Sequence, residues 1–430
     1  MAGLFRAGFG RADITPKLGC MLTGYGGRNG GATKVHDPLL ARALVLEDEG
    51  GGWALISCDI CYMAAETVAE IREAIQKRVG IPGNHVFIAT THTHSGPHDR
   101  HAQNWDRPLA EIVTDAVEQA YNSRQPAQVG TGYSFLYGYS INRRWLDKPV
   151  DPAILVLRVN DEAGNLLGLL SIYGCHAVVL GYDNLEISGD WPGYAMCDLE
   201  QKLGPGVTCL FFQGGAGDIN PLVEGVRQRL RNGQPVRAIG DVSSYYGELK
   251  GSKEWSIGDR GGGTFAEVAE LGRAFANEVA YVTQTITTKI PDKPIWAEQI
   301  TINAAAAPGE YTNRPPAPIL TDIVSGFDDN NIPTELMLLE IGDMVLVGQP
   351  GEVFSETAVN VRMWLRNMGY QSPMLVSYAN GWFLYLPEPS AFPEGGYEPN
   401  WAATLNISKQ FQPLAWKAIE PVLRQRVPSP

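Results

Sequence analysis

Along this chain, short unbroken apolar runs alternate with stretches whose apolar residues recur at helical intervals. WALISCD (53–59) and HVFIAT (85–90) are runs of the first kind, and AAETVAEIREAIQKRVG between them has helical spacing and ends in Gly80. That order predicts a β-α-β unit over 53–90. Further strands are predicted at 153–159, 166–174 and 207–213, with a hairpin over 335–349 turning at Gly342-Asp343. Helices are predicted near 108–122, 192–203, 264–285, 353–367 and 411–424. The expected fold class is α/β, a mixed β-sheet core flanked by helices, in one domain spanning residues 1–430. The polar, charged stretch 224–263 reads as an excursion over the surface, placed where it could cover a site, and the Pro/Gly-rich region 308–333 as a second long loop.

Composition narrows the partners. A net charge of −13 with no basic run argues against nucleic acid, because phosphate binding needs clustered Lys and Arg. No apolar stretch is long enough for a membrane-spanning helix, and the start, MAGLFRAGFGRADITP, lacks the apolar core of a signal peptide, so a cytoplasmic location is expected. Cys58 and Cys61 form a lone C-x-x-C; a zinc ribbon needs a second pair, so small buried side chains are expected here.

The candidate chemistry is concentrated in FIATTHTHSGPHDRH (87–101). It holds His92, His94, His98 and His101, four of the seven histidines, directly after a predicted strand. Imidazole is the commonest metal ligand and the usual proton carrier near neutral pH, and open α/β sheets place their sites at the carboxyl ends of strands. On an extended strand end, His92 and His94 would point the same way into one pocket, one binding a metal while the other moves protons or holds a water. His176 ends another apolar run, LLSIYGCH, and Glu352 follows a third in MVLVGQPGE. Glu352 reads either as a helix N-terminal neighbour or as an oxygen ligand. Two histidines and one carboxylate form a catalytic zinc set with a position open for water, whose pKa the metal lowers to ~7.

Several ordered motifs carry a resemblance: GRADITP, HDPLLARAL, ATTHTHSGPH, YGCHAVVL followed by SGDWPGY, GGAGDINP and GQPGE. Together, from about residue 8 to about residue 400, they resemble the neutral (non-lysosomal) ceramidase family. The resemblance implies a ceramidase-like catalytic fold and one Zn2+ held by His92, His176, Glu352 and Tyr385. It also implies substrate-polarising and proton-handling roles for His94, Arg143 and Tyr397. One departure stands out. The family carries a serine in G-D-V-S-P, where this chain reads Gly217-Asp218-Ile219-Asn220-Pro221. An amide is no nucleophile, so Asn220 is expected to donate a hydrogen bond to substrate instead. The family's C-terminal immunoglobulin-like domain is expected to be absent, since the sequence ends at 430.

The expected activity is zinc-dependent hydrolysis of an amide or ester bond through a metal-activated water, on a substrate other than ordinary ceramide. The alternatives are a metal-assisted lyase or hydrolase acting on a uronate-containing saccharide, and a non-catalytic metal-binding relative. For the saccharide reading, Trp145, Trp382, Trp401 and Tyr397 would stack on sugar, and Arg100, Arg143 and Arg144 would face the acid. The partner expected is thus a small molecule, lipid-like or saccharide, with a homo-oligomer left open.

Overall fold

The computed structural model describes residues 5–25, 28–100, 104–145, 147–232, 263–311 and 330–427. His101, most of the 224–263 excursion and most of the 308–333 loop lie outside these residues.

The predicted apolar runs are strands buried on both faces, which is why they show no alternation. In Ala153–Asp161, Ile154 and Val156 enter one core cluster while Leu155, Leu157 and Val159 enter another on the opposite face. Gly51–Cys58 divides in the same way, with Ala54, Ile56 and Cys58 on one side and Trp53 and Leu55 on the other.

These strands belong to an eight-stranded mixed sheet. Its order is Thr208–Gln213, Leu166–Tyr173, Ala153–Asp161, Gln125–Phe135, Arg6–Asp13, Leu40–Asp48, Gly51–Cys58 and Val86–Thr90. The outermost pair at each edge is parallel and every inner pairing is antiparallel. The sheet curls until its edge strands touch; Ser57 Oγ, next to one edge, donates to Phe211 O on the other at 2.7 Å. One face is covered by helices Ala65–Val79, Leu109–Asn122, Asp190–Leu203 and Phe265–Thr283. The other packs on a four-stranded sheet of Trp296–Asn303, Pro333–Ile341, Met344–Gly348 and Ser372–Val376. Helices Ser355–Asn367 and Phe411–Arg426 close the outer side of that sheet. The result is four layers, α/β/β/α, as the α/β expectation requires.

The predicted elements are all found, with small shifts. The helix expected from 192 starts at Asp190, and the one expected from 353 starts at Ser355 because Glu352–Val353 pairs with Tyr385–Leu386. The 224–263 stretch begins with a helix, Glu224–Arg231. Among the described residues, no helix is long and apolar enough to cross a membrane.

Candidate metal centre

Strand ends from both sheets supply the site. His92 and His94 follow Val86–Thr90, His176 follows Leu166–Tyr173, Glu352 follows Met344–Gly348, and Tyr378 follows Ser372–Val376. Gln213, the last residue of Thr208–Gln213, ties these ends together: its Nε2 donates to Thr91 O at 3.1 Å and to Cys175 O at 2.7 Å.

His92 and His94 do converge, but not by strand alternation. The strand stops at Thr90, and His92 takes a left-handed backbone, φ 62°. Such a conformation in a non-glycine residue costs about 1–3 kcal/mol and persists only where its surroundings fix it. Here the His92 amide donates to Ile60 O at 3.1 Å, and its ring stacks on Tyr378 with centroids 4.2 Å apart. The result places His92 Nε2 and His94 Nε2 3.1 Å apart, with ring planes at 85°.

The hydrogen bonds at the other ring nitrogens assign the tautomers. His92 Nδ1 lies 2.6 Å from Cys61 O and His176 Nδ1 2.5 Å from Ala216 O. Each Nδ1 must donate to its carbonyl, which leaves each Nε2 free to accept or to ligate. Both Nε2 atoms face Glu352 Oε2, at 3.5 Å from His92 and 3.0 Å from His176. All three residues are buried. Three lone-pair centres crowded together out of water repel one another unless a positive species lies among them. Two donors ~2.0–2.1 Å from a tetrahedral zinc stand about 3.4 Å apart, close to both spacings. The His92–His176–Glu352 set therefore fits a divalent ion of borderline softness, with one carboxylate to offset its charge.

Electrostatics agree. Burial opposes a charge on His92, yet Cys61 and Glu352 outweigh it and raise its pKa to about 10. Burial alone would push Glu352 up, but His92 and His176 hold it well below the usual carboxylate range. Burial, then Arg143, lowers His176 to about 4. With protons alone the cluster is a His92 imidazolium against a Glu352 carboxylate, so His92 Nε2 is the place where a proton and a metal would compete. His94, lowered by burial and by its histidine neighbours, stays neutral.

Arg143 joins the remaining predicted residues. Its Nη2 donates to the Tyr385 hydroxyl at 2.9 Å, its Nη1 lies 3.3 Å from both His176 Nε2 and Asn220 Oδ1, and its Nε donates to Glu398 at 2.9 Å. A cation on His176 Nε2 would take that lone pair from Arg143. Tyr385 is the strand partner of Glu352, so carboxylate and phenol enter the site side by side. Burial raises the Tyr385 pKa well above its ordinary value, which keeps the hydroxyl protonated. Tyr397 stands edge-on to Tyr385 with centroids 5.5 Å apart, half-buried at the start of helix Tyr397–Thr404. Asn220 is wholly buried, and among the described residues its Nδ2 has no hydrogen-bond partner.

Other sequence expectations fall differently. Glu352 is not at a helix start; it sits in a two-residue parallel pairing ahead of the helix. His98 lies outside the donor cluster, accepting from Arg100 N and stacking on Tyr62. Cys58 and Cys61 are both buried, as expected, and Cys61 Sγ also lies 3.7 Å from His92 Nδ1. Tyr378, Gln213 and Glu398 were not singled out from the sequence, although Tyr378 follows an apolar run just as His92 does. Gly24 and Arg28 were also missed. Gly24 lies flat on the His94 imidazole, where an added Cβ would come 2.2 Å from Nδ1, and buried Arg28 donates to His94 O at 2.7 Å.

Fold and site together define a layered α/β protein with a buried His-His-Glu donor cluster at its strand ends. The family model for neutral/alkaline non-lysosomal ceramidase, N-terminal, matches residues 5–239, more than half the chain. The chain belongs to that family. Neutral ceramidase B of Dictyostelium discoideum is 27% identical over 305 residues, 62% of this chain and 42% of that protein. Neutral ceramidase of Mycobacterium tuberculosis is 26% identical over 264 residues, 52% and 41% of the two chains. The chain thus spans about two fifths of the length of these curated relatives. Its fold superimposes on the crystal structure of neutral ceramidase from Pseudomonas aeruginosa with a TM-score of 0.76 at 18% identity, covering 100% of this chain and 76% of that one.

Proposed function

We propose that this protein is a zinc-dependent hydrolase that cleaves an amide bond, the N-acyl linkage first and an ester second, on a substrate other than ordinary ceramide. The observation that carries this reading is the convergence of buried His92, His176 and Glu352, whose ligand atoms lie within 4.8 Å of one another, with Glu352 Oε2 3.5 Å from His92 Nε2 and 3.0 Å from His176 Nε2. Relatives named as neutral ceramidases support the bond type. His92, His176 and Glu352 would hold the ion, with Tyr385 as fourth donor. When bound, a divalent ion supplies Lewis acidity and lowers the pKa of water toward ~7.

The protein's own groups do the rest. His94, whose Nε2 lies 3.1 Å from His92 Nε2, would accept a proton there and return it to the leaving nitrogen. Arg143, by donating to the Tyr385 hydroxyl, favours charge building up on oxygen nearby, and Tyr397 adds a second phenol at the same place. One good oxyanion donor is commonly worth ~3–4 kcal/mol. Asn220 offers the free Nδ2–H to a substrate acceptor, so no step depends on a serine.

The saccharide reading gains nothing from the geometry. Arg143 and Arg144 are bound to Glu398, and Arg100 to Glu66. Trp382 stacks on Tyr62 at 3.9 Å, and Trp145 Nε1 donates to Glu394. Each of these arginines already holds a carboxylate partner and one face of Trp382 is covered, so the geometry lends the saccharide reading no added support. The deciding experiment measures zinc content and screens the purified chain on N-acyl amides and on uronate oligosaccharides. Acyl release with stoichiometric zinc is expected. A near-ultraviolet product band from the oligosaccharides, with no acyl release, would replace this reading by the lyase.

A further inference from the structure

Glu398 plays no part in the mechanism above, yet it is fully buried at the second position of helix Tyr397–Thr404. Its Oε1 accepts from Arg143 Nε at 2.9 Å and its Oε2 from Arg144 Nη1 at 2.7 Å. The two guanidinium groups use it differently. Arg143 turns its outer nitrogens into the site, onto Tyr385, Asn220 and His176. Arg144 turns away: its Nη2 donates to Glu394 Oε2 at 3.2 Å and to Gly395 O at 2.9 Å. A guanidinium is planar, so a charge-assisted bond at Nε sets the direction of both outer nitrogens at once.

We propose that Glu398 is a positioning residue that aims Arg143 at Tyr385 and Asn220 through its bond to Nε, with Arg144 as its outer anchor. Among the described residues Glu398 forms no hydrogen bond or ion pair with His92, His176, Glu352 or Tyr385, so its removal should disturb the rate and spare metal binding. The kinetic part rests on the amide-hydrolase reading given above.

The test is a double-mutant cycle on the full chain, zinc-loaded, with the N-acyl amide that the wild type cleaves. Glu398→Gln should lower kcat about 10- to 100-fold, the usual effect of losing a residue that orients a site group, with KM moved far less and zinc content unchanged. In an Arg143→Met background the same replacement should change kcat by no more than about twofold, because its effect passes through Arg143. Should Glu398→Gln not fold, Glu398→Asp, which pulls the carboxylate back by one methylene, replaces it with the same two expectations. A folded, zinc-loaded Glu398 variant with wild-type kcat, or an equal loss in both backgrounds, overturns the proposal. A second readout separates it from the amide-hydrolase reading: the Arg143 Nε–H resonance should be protected from solvent exchange in the wild type and lose that protection in Glu398→Gln. A wild type inert on amides that still gave this result would break the functional reading and keep the positioning role.

Discussion

Two buried ion pairs in this protein look alike and sit in different surroundings. Arg42 and Asp59 lie 2.9 Å apart, each side chain 2% exposed, among the residues packed under helices Ala65–Val79 and Leu109–Asn122. Arg143 and Glu398 lie 2.9 Å apart, 4% and 0% exposed, at the strand ends. Distance and burial do not separate them; their neighbours do. Asp59 also accepts from the Leu40 amide, and among the described residues Arg42 reaches only Glu200 and Cys197 besides. Arg143 reaches a histidine of the donor cluster, the phenol paired beside Glu352, and an amide. A buried ion pair is thus weak evidence of function by itself; what its free nitrogens address is the stronger evidence.

The comparison breaks most sharply at the ligands. His176→Ala should remove the ion outright and cost several kcal/mol of transition-state stabilisation, a rate loss on the order of 10³; metal analysis and single-turnover kinetics check it, and full zinc occupancy in that variant would remove His176 from the ligand set. Arg42→Met should act only on folding. It strands the Asp59 carboxylate in the core and should lower unfolding free energy by about 3–5 kcal/mol in urea titrations, with kcat per folded molecule unchanged.

Asp190 shows the same burial without a cation. It accepts from the amides of Val179, Leu180 and Trp191, and burial outweighs them, raising its pKa from 3.8 to about 6. A raised folded-state pKa contributes stability that is complete below pH 3.8 and lost as pH rises through 6. Relative to Asp190→Asn, the wild type should therefore lose about 2 kcal/mol between pH 4 and pH 7; a pH-independent difference in urea titrations would contradict this. The smallest effect belongs to Asn220→Ala. It removes one acceptor of Arg143 and a free donor, so zinc should stay bound and kcat should fall about tenfold or less, read from paired metal and rate measurements.

Much of the scaffold was legible because burial on both sheet faces leaves unbroken apolar runs. The strands that were missed show why the rest was not. Arg6–Asp13 carries glycines where an inward apolar residue would have marked it. Helix Leu109–Asn122 packs so closely that an added Cβ on Gly8 or Gly10 would come 2.2 Å from Ala120 O or Ala116 O. In the site, single residues with distinctive chemistry, His92, His176 and Glu352, could be read from local motifs. Glu398 and Tyr378 could not, because what they touch is fixed by tertiary contact; Glu398 meets an arginine 255 positions away.

Two of the three principal donors hang from the eight-stranded sheet and the third from the four-stranded one. An ion seated among them would rivet the two halves of the sandwich, and whatever it contributes to binding it would also contribute to holding the layers in register. Loading should then be visible to a calorimeter with no substrate present, as a melting temperature that climbs with free metal concentration.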